Sequence, residues 1–303
     1  METKKKNGLK LGSQATFHLM MLPGMLFVLV FCYVPMAGVI MAFQDYVPAK
    51  GILGSKFVGM KNFLYMFSLP DIGQIFANTL IIAVGKILLG TLMAIAFAIL
   101  LNEIRLKVFK SVFQTVVYLP HFLSWVVLAA VVVNMVNLDG PLNQFLAALG
   151  LDKINFLGSN TWFRPMLIVT DVWKEFGYNS IVYLAAITAI DPGLHEAASI
   201  DGANWWQRIW HITLPGMLPI ILLMAAMSLT SILSAGFDQV YNLYSPMVYQ
   251  TGDVLDTYVY RVGLIGRQYS FSTAVGLLRS VVGMILMLTA NGLAKRFTDR
   301  KIF

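Results

Sequence analysis

Long apolar runs alternate with polar connections along this chain. Six runs stand out, at roughly residues 19–43, 77–101, 113–137, 166–190, 214–235 and 272–294. Each is close to the ~20 apolar residues that a helix needs to cross a bilayer. The pattern predicts an all-α, polytopic membrane protein with about six transmembrane helices. An even number of spans puts both termini on one side. Three connections on the opposite side are long: residues 44–76, 138–165 and 236–271. In the second of these, residues 142–149 are apolar but too short to span, and they are expected at the membrane interface.

Composition supports that class. Of 303 residues, 58% are hydrophobic and 12% charged, with a mean hydropathy of +0.72. A soluble domain is nearer ~45–50% apolar and ~25% charged. The net charge of +7 comes from basic residues at the ends of apolar runs, which is a topology pattern and not a nucleic-acid footprint. Connections on one side carry twelve Lys and Arg, among them Lys4, Lys5, Lys6, Lys10, Arg105, Arg208, Arg300 and Lys301, against seven on the other. The positive-inside rule therefore predicts that both termini face the cytoplasm. The first run is longer than a signal-peptide core and no A-x-A site follows it, so it reads as a retained helix. The expected partition is a cytoplasmic segment 1–18, a membrane domain 19–296 and a tail 297–303. Cys32 is the only cysteine, which excludes an internal disulfide.

Residues 191–219 break the pattern, because they carry His195, Glu196, Asp201, Asn204, Gln207, Arg208 and His211. Charges at that density do not lie in lipid. Leu194, Ala197, Ala198, Ile200 and Trp205, Trp206, Ile209, Trp210 make the segment too apolar for a free loop. It reads as a short helix on the cytoplasmic side that docks a partner. Glu196 suits a helix N-terminus and Gly202 a helix C-terminus.

Glu196-Ala197-Ala198, then Asp201-Gly202, then Leu214-Pro215 resemble the EAA signature of ABC importer permeases. The start of the chain, the FDQVYNLYSPMVYQTGDVLDTYVYRVGL stretch and the end resemble the carbohydrate branch, and within it the oligosaccharide and polysaccharide permeases. The resemblance implies a type I ABC importer permease fold. It implies a coupling helix within residues 191–213, with Glu196, Ala197, Ala198, Asp201, Gly202, Leu214 and Pro215 contacting an ATPase. It also implies a short lateral helix ahead of the second span. The implied partners are a second, homologous permease (a heterodimer rather than a homodimer), two cytoplasmic ATPase subunits that hold ATP and Mg, an extracytoplasmic solute-binding protein and an oligosaccharide. No nucleic acid is implied. No cofactor or metal is expected on this chain, and no catalytic residue.

The residues agree with that division of labour. There is no G-x-x-x-x-G-K-[ST], no H-E-x-x-H and no G-x-S-x-G, so ATP hydrolysis falls to a separate subunit. The fourth run is the polar one, with Asp171, Trp173, Lys174, Glu175, Tyr178, Asn179 and Tyr183. Two readings stand side by side. One is a hydrated sugar pathway, with Trp173 and Tyr183 stacking on sugar and Glu175 and Asn179 binding hydroxyls. The other is an interhelical ion pair with an interfacial aromatic belt. Asn134, Ser231, Asp238 and Gln239 complete the candidate pathway. Lys86, inside the second run, is expected to snorkel or to pair with an acid. Gly85, Gly90, Gly276 and Gly283 are expected to permit close helix approach. Six of the chain's 12 tyrosines fall in residues 236–271, as suits a membrane interface or a binding-protein contact. The alternatives are an importer permease for a non-carbohydrate solute, an ion-coupled secondary transporter, which needs repeats not visible here, and a membrane enzyme using Asp171 and Glu175.

Overall fold

The computed structural model describes residues 8–230 and 232–298. The candidate Ser231 and the basic residues Lys4, Lys5, Lys6, Arg300 and Lys301 lie outside the described residues.

Among the described residues the regular structure is helical apart from one two-residue strand pairing. Helix α1 (Gly8–Val28) runs on through a π turn (Leu29–Tyr33) and a 3-10 stretch (Ala37–Phe43). The widening has a cause: Pro35 cannot donate to the carbonyl of Phe31, and its ring crowds that group. β1 (Gln44–Asp45) and β2 (Lys56–Phe57) pair antiparallel, and α2 (Lys61–Ser68) lies ahead of the second span as the short helix expected there. The central helices are α3 (Ile72–Glu103) and α7 (Phe163–Thr188), which pack on each other along their length. Small residues allow it. A Cβ on Gly85 would sit 2.5 Å from Ile168 Cδ1, and Ala94 and Ala98 face buried Tyr183 and Ile187. Of the other glycines expected at close approaches, Gly90 and Gly283 have only ordinary contacts and Gly276 has open space. Gly177 is a close approach to backbone, where a Cβ would lie 2.5 Å from the Val117 carbonyl oxygen.

Three elements differ from the sequence expectation. The third run is not one helix. α4 (Lys107–Tyr118) ends in a 3-10 turn carrying Pro120, and α5 (Trp125–Val136) starts afresh, with Ser124 Oγ accepting from Val127 N at 3.4 Å. Pro120 removes a backbone donor and Ser124 supplies a new N-cap. At 12 residues, α5 is ~18 Å long and is followed by the short α6 (Pro141–Ala148). The fifth span begins earlier than expected. After α8 (Pro192–Ile200), helix α9 runs Trp205–Leu229 without a break at Pro215. A π turn at Ile209–Thr213 absorbs the missing donor, as Pro35 is absorbed in α1. Finally, residues 236–271 are not a surface loop. α10 (Phe237–Leu243) and α11 (Leu255–Val259) turn inward, and Gln239, Val240, Val248, Val254 and Leu255 are buried. Asn78 on α3 holds this arm by donating to the carbonyl of Asp253 at 2.9 Å, and Arg164 Nε donates to that of Thr251 at 3.0 Å. α12 (Tyr269–Thr298) closes the bundle.

Among the described residues, five stretches are long and apolar enough to cross a membrane: Ala15–Phe43, Ile72–Glu103, Trp125–Ala148, Trp205–Leu229 and Tyr269–Thr289. α7 is not among them; its Asp171 meets Lys86 on α3, and its Lys174 and Glu175 meet His121.

The glycine contacts set a prediction. Gly177→Ala forces a methyl against a backbone carbonyl and is expected to destabilise the fold by about 1–3 kcal/mol. Gly276→Ala meets nothing within 4 Å and gains helix propensity, so it should leave stability unchanged or raise it by up to ~1 kcal/mol. Thermal unfolding of the purified protein in mild detergent measures both.

Candidate functional site

The candidate residues gather in two separate polar constructions, one at a helix corner and one between the central helices. The corner is built by capping. Asp191 is the N-cap of α8, its carboxylate accepting from Gly193 N at 2.9 Å, and Pro192 occupies the first helical position. At the other end Gly202 adopts φ +80, and two bonds close the helix: Gly202 N to Ser199 O at 3.2 Å and Ala203 N to Ala198 O at 2.9 Å. This is a Schellman termination, which favours glycine at the left-handed position. The next helix starts within two residues. Gln207 N donates to Asn204 Oδ1 at 3.0 Å and Asn204 N to Gln207 Oε1 at 2.7 Å, a capping box.

No residue of α8 is buried, and Leu194 and Ile200 are 53% and 87% exposed. A nine-residue helix without a packed face is held by its caps. It presents Glu196, Ala197 and Ala198 beside a groove of about 370 Å³ lined by Asp201, Gly202, Gln207, Arg208 and His211. Leu214 and Pro215 do not line this groove; they lie further along α9. Glu196 is not in the first turn, where Asp191 supplies the negative end. Trp206 and Trp210, each 64% exposed, share one face at the start of α9 and are not part of α8.

The second construction is a cavity of about 330 Å³ between α3, α7 and the chain around Gly236. Lys86 reaches into it with its side chain only 9% exposed. Its ammonium meets Asp171 Oδ1 at 3.1 Å, the Ala235 carbonyl at 2.7 Å and Gln239 Oε1. Three acceptors match the three donors of an ammonium. Gln239 is fully buried and passes the link on, donating to the Leu167 carbonyl and to Thr170 Oγ1, both at 2.8 Å. Beside it, Glu175 Oε2 meets His121 Nδ1 at 2.7 Å and Oε1 accepts from Lys174 Nζ at 2.8 Å. Lys174 also donates to the His121 carbonyl, and the His121 ring stacks on Tyr178 at 3.8 Å.

The candidate pathway residues divide. Glu175 and Asn179 line the cavity, and Gln239 braces it from behind. Tyr183 is buried in a core with Ala94, Ala98 and Met217. Trp173 faces an apolar groove with Met135, Phe156 and Trp162. Asn134 and Asp238 are exposed elsewhere. Asp171 pairs with Lys86 from another helix, and Lys174 with Glu175. The signal for the first pair was in the sequence: one basic and one acidic residue in different apolar runs have to meet, since neither is stable alone in lipid.

Known proteins match this chain along its whole length. The family model for the binding-protein-dependent transport system inner membrane component matches residues 86–300, a stretch that includes both constructions. The chain belongs to this family. Among its relatives, the polygalacturonan/rhamnogalacturonan transport system permease protein YteP of Bacillus subtilis (strain 168) is 42% identical over 303 residues, covering 100% of this chain and 94% of the relative. Protein LplB of the same organism is 40% identical, covering 94% and 90%. Among solved structures, a bacterial ABC transporter involved in the import of the acidic polysaccharide alginate superposes with a TM-score of 0.87 at 38% identity, covering 95% of this chain and 98% of that one. The alginate transporter in complex with an alginate pentasaccharide-bound periplasmic protein gives 0.88 at 38% identity, covering 98% and 100%. The resemblance seen in the EAA residues thus holds for fold and family: the chain is an ABC importer permease.

The cavity sets a second prediction. Lys86→Met leaves Asp171 without its cation inside the permease and is expected to cost on the order of 3 kcal/mol. The double variant Lys86→Met/Asp171→Leu removes both charges and should recover most of that loss. Unfolding temperatures of the two variants in detergent decide it.

Proposed function

We propose that this permease forms one half of the transmembrane pathway of an ATP-driven importer for oligosaccharides. The observation that carries the reading is α8: a short helix with no buried residue, fixed by Asp191 and Gly202 and offered outward beside a groove. Such a surface is made for a partner, and the family supplies its kind, a cytoplasmic ATPase subunit. ATP and Mg bind there. Two ATPases closing on ATP move the coupling helices and change the relative stability of two permease states, which is the only way a ligand drives a conformational equilibrium. A second, homologous permease completes the pathway and covers the exposed apolar surface of the bundle that lipid does not. A solute-binding protein delivers substrate at the outer face.

The saccharide assignment is supported by relatives named for polygalacturonan, rhamnogalacturonan and alginate. The orientation follows from charge: both termini, Arg105 and the corner at Gly202 are cytoplasmic. The membrane domain accordingly runs from residue 19 to 296, with the flanking residues on the cytoplasmic side.

Two experiments test this. A tagged permease purified in mild detergent should bring an ATPase and a second permease with it. In Gly202→Trp a Cβ meets nothing within 4 Å on the permease side, while φ +80 strains any side chain there. The ATPase should be lost and the second permease kept. Wild type that purifies alone and moves solute down an ion gradient would make it a secondary transporter instead. For orientation, a Cys32→Ser protein with Ser199→Cys should react with an impermeant maleimide only after the cells are opened. Labelling of intact cells would invert the topology.

A further inference from the structure

A pocket of about 230 Å³ lies where the end of α3 meets the corner between α8 and α9. Glu103 closes α3, and Arg105 follows just past it. His195 comes from α8, and Trp205 and Arg208 come from the first turn of α9. Buried Ile187, Ile209 and Thr213 complete the wall, so the pocket is backed by the permease's own core.

The cations here are left open. Lys86, Arg261 and Arg279 each meet a carboxylate. Among the described residues, the guanidinium groups of Arg105 and Arg208 have no ion pair and no hydrogen bond, and Glu103 pairs with neither. Two like charges around one pocket raise its affinity for an anion. A guanidinium fork matches the oxygens of a phosphate group. Glu103 leaves the three charged groups with one net positive charge. That suits a phosphodiester, which carries a single negative charge, better than a phosphate monoester at about −1.5 to −2.

The surroundings indicate where such a group comes from. α3 ends its span at Glu103 and the next span starts at Trp205, so the pocket lies level with one membrane surface. Trp206 and Trp210 are exposed beside it, and tryptophan favours the headgroup level. Leu106, Val108 and Phe109, next to Arg105, are exposed and apolar. A polar pocket bordered by bare apolar side chains fits a headgroup with its acyl chains alongside.

We propose that this pocket binds the phosphate group of an anionic phospholipid from the cytoplasmic leaflet, with Arg105 and Arg208 as its ligands. Glu103 accepts from a hydroxyl of a glycerol headgroup. The bound phosphate joins the end of α3 to the corner that carries α8. The leaflet rests on the orientation proposed above, which the Ser199→Cys labelling decides by itself. Binding in detergent does not depend on it.

The test uses the full-length permease with its copurifying subunits in mild detergent, at about 0.15 M salt to screen diffuse attraction. Native mass spectrometry measures the first lipid retained. The probes are phosphatidylglycerol, phosphatidylcholine and inorganic phosphate. Wild type should hold phosphatidylglycerol about tenfold more tightly than phosphatidylcholine, whose cation faces the arginines and offers Glu103 no hydroxyl. Arg105→Gln and Arg208→Gln should each weaken phosphatidylglycerol by about tenfold, the loss of a charge-assisted hydrogen bond. Lys107→Gln, close by but outside the pocket, should stay within about twofold. Equal retention of the two lipids, or an equal loss in Lys107→Gln, overturns the proposal. Inorganic phosphate at the lipid's concentration should displace nothing; displacement makes the ligand a free anion and overturns the lipid assignment. If a glutamine variant does not purify, lysine at that position keeps the charge and removes the fork. It should weaken binding about threefold, and unchanged binding there overturns the proposal too.

Discussion

A charge inside the hydrocarbon of a membrane has to find an opposite charge within the protein, and the middle of this permease is arranged by that requirement. Lys86 and Asp171 lie on α3 and α7, the two central helices that pack along their length. Their contact fixes the rotation of α3 against α7, because neither residue can turn outward to lipid. The same ammonium holds the Ala235 carbonyl and Gln239, so the contact also fixes where the chain turns back after α9. Gln239 then ties α10 to α7 through Leu167 and Thr170. One cation thus sets the mutual positions of three parts of the chain that are distant in sequence. The small residues Gly85, Ala94 and Ala98 bring the helices near enough for it to happen.

The corner at α8 obeys a different rule. It has no packed core of its own, so its geometry comes from backbone capping at both ends. Capping is local and rigid, and it leaves every apolar side chain of the helix free for another surface. A helix made this way can transmit a push without losing its shape. Between this corner and the polar cavity lie α9 and the lower part of α7, which meet through Met217, Tyr183 and Ile187. Movement of α8 therefore has a packed route to the cavity.

Proline does not act uniformly here: Pro23 and Pro219 sit inside regular α-helix, and three others differ in what surrounds them. Pro35 and Pro215 sit inside helices that survive, because a π turn one step earlier takes up the lost bond. Pro120 ends a helix, because Ser124 stands ready four residues on to cap a new one. The type of residue was visible in each case. Whether the chain continued depended on the capping partner and on what packed around it.

The all-helical membrane fold, most of its apolar stretches, the short helix that ends at Gly202 and the family were legible in the sequence. Each depends on local composition or spacing: apolar length against bilayer thickness, charge at run ends, a glycine where the backbone turns left-handed. The partners of Asp171, Glu175 and Gln239 were not legible, nor was the inward fold of residues 236–271. Lys86 could be seen to need an acid, but Asp171, Glu175, Asp238 and Asp256 were all available in the sequence. The tyrosines of that arm gave it the look of an interface, while its buried residues, Val240, Val248, Val254 and Leu255, are spread too thinly to mark a core. The sequence alone determined which groups this protein cannot leave in lipid. Only the tertiary structure decided which of them meet, because that depends on helix rotation and close approach, set by contacts between residues up to 224 positions apart.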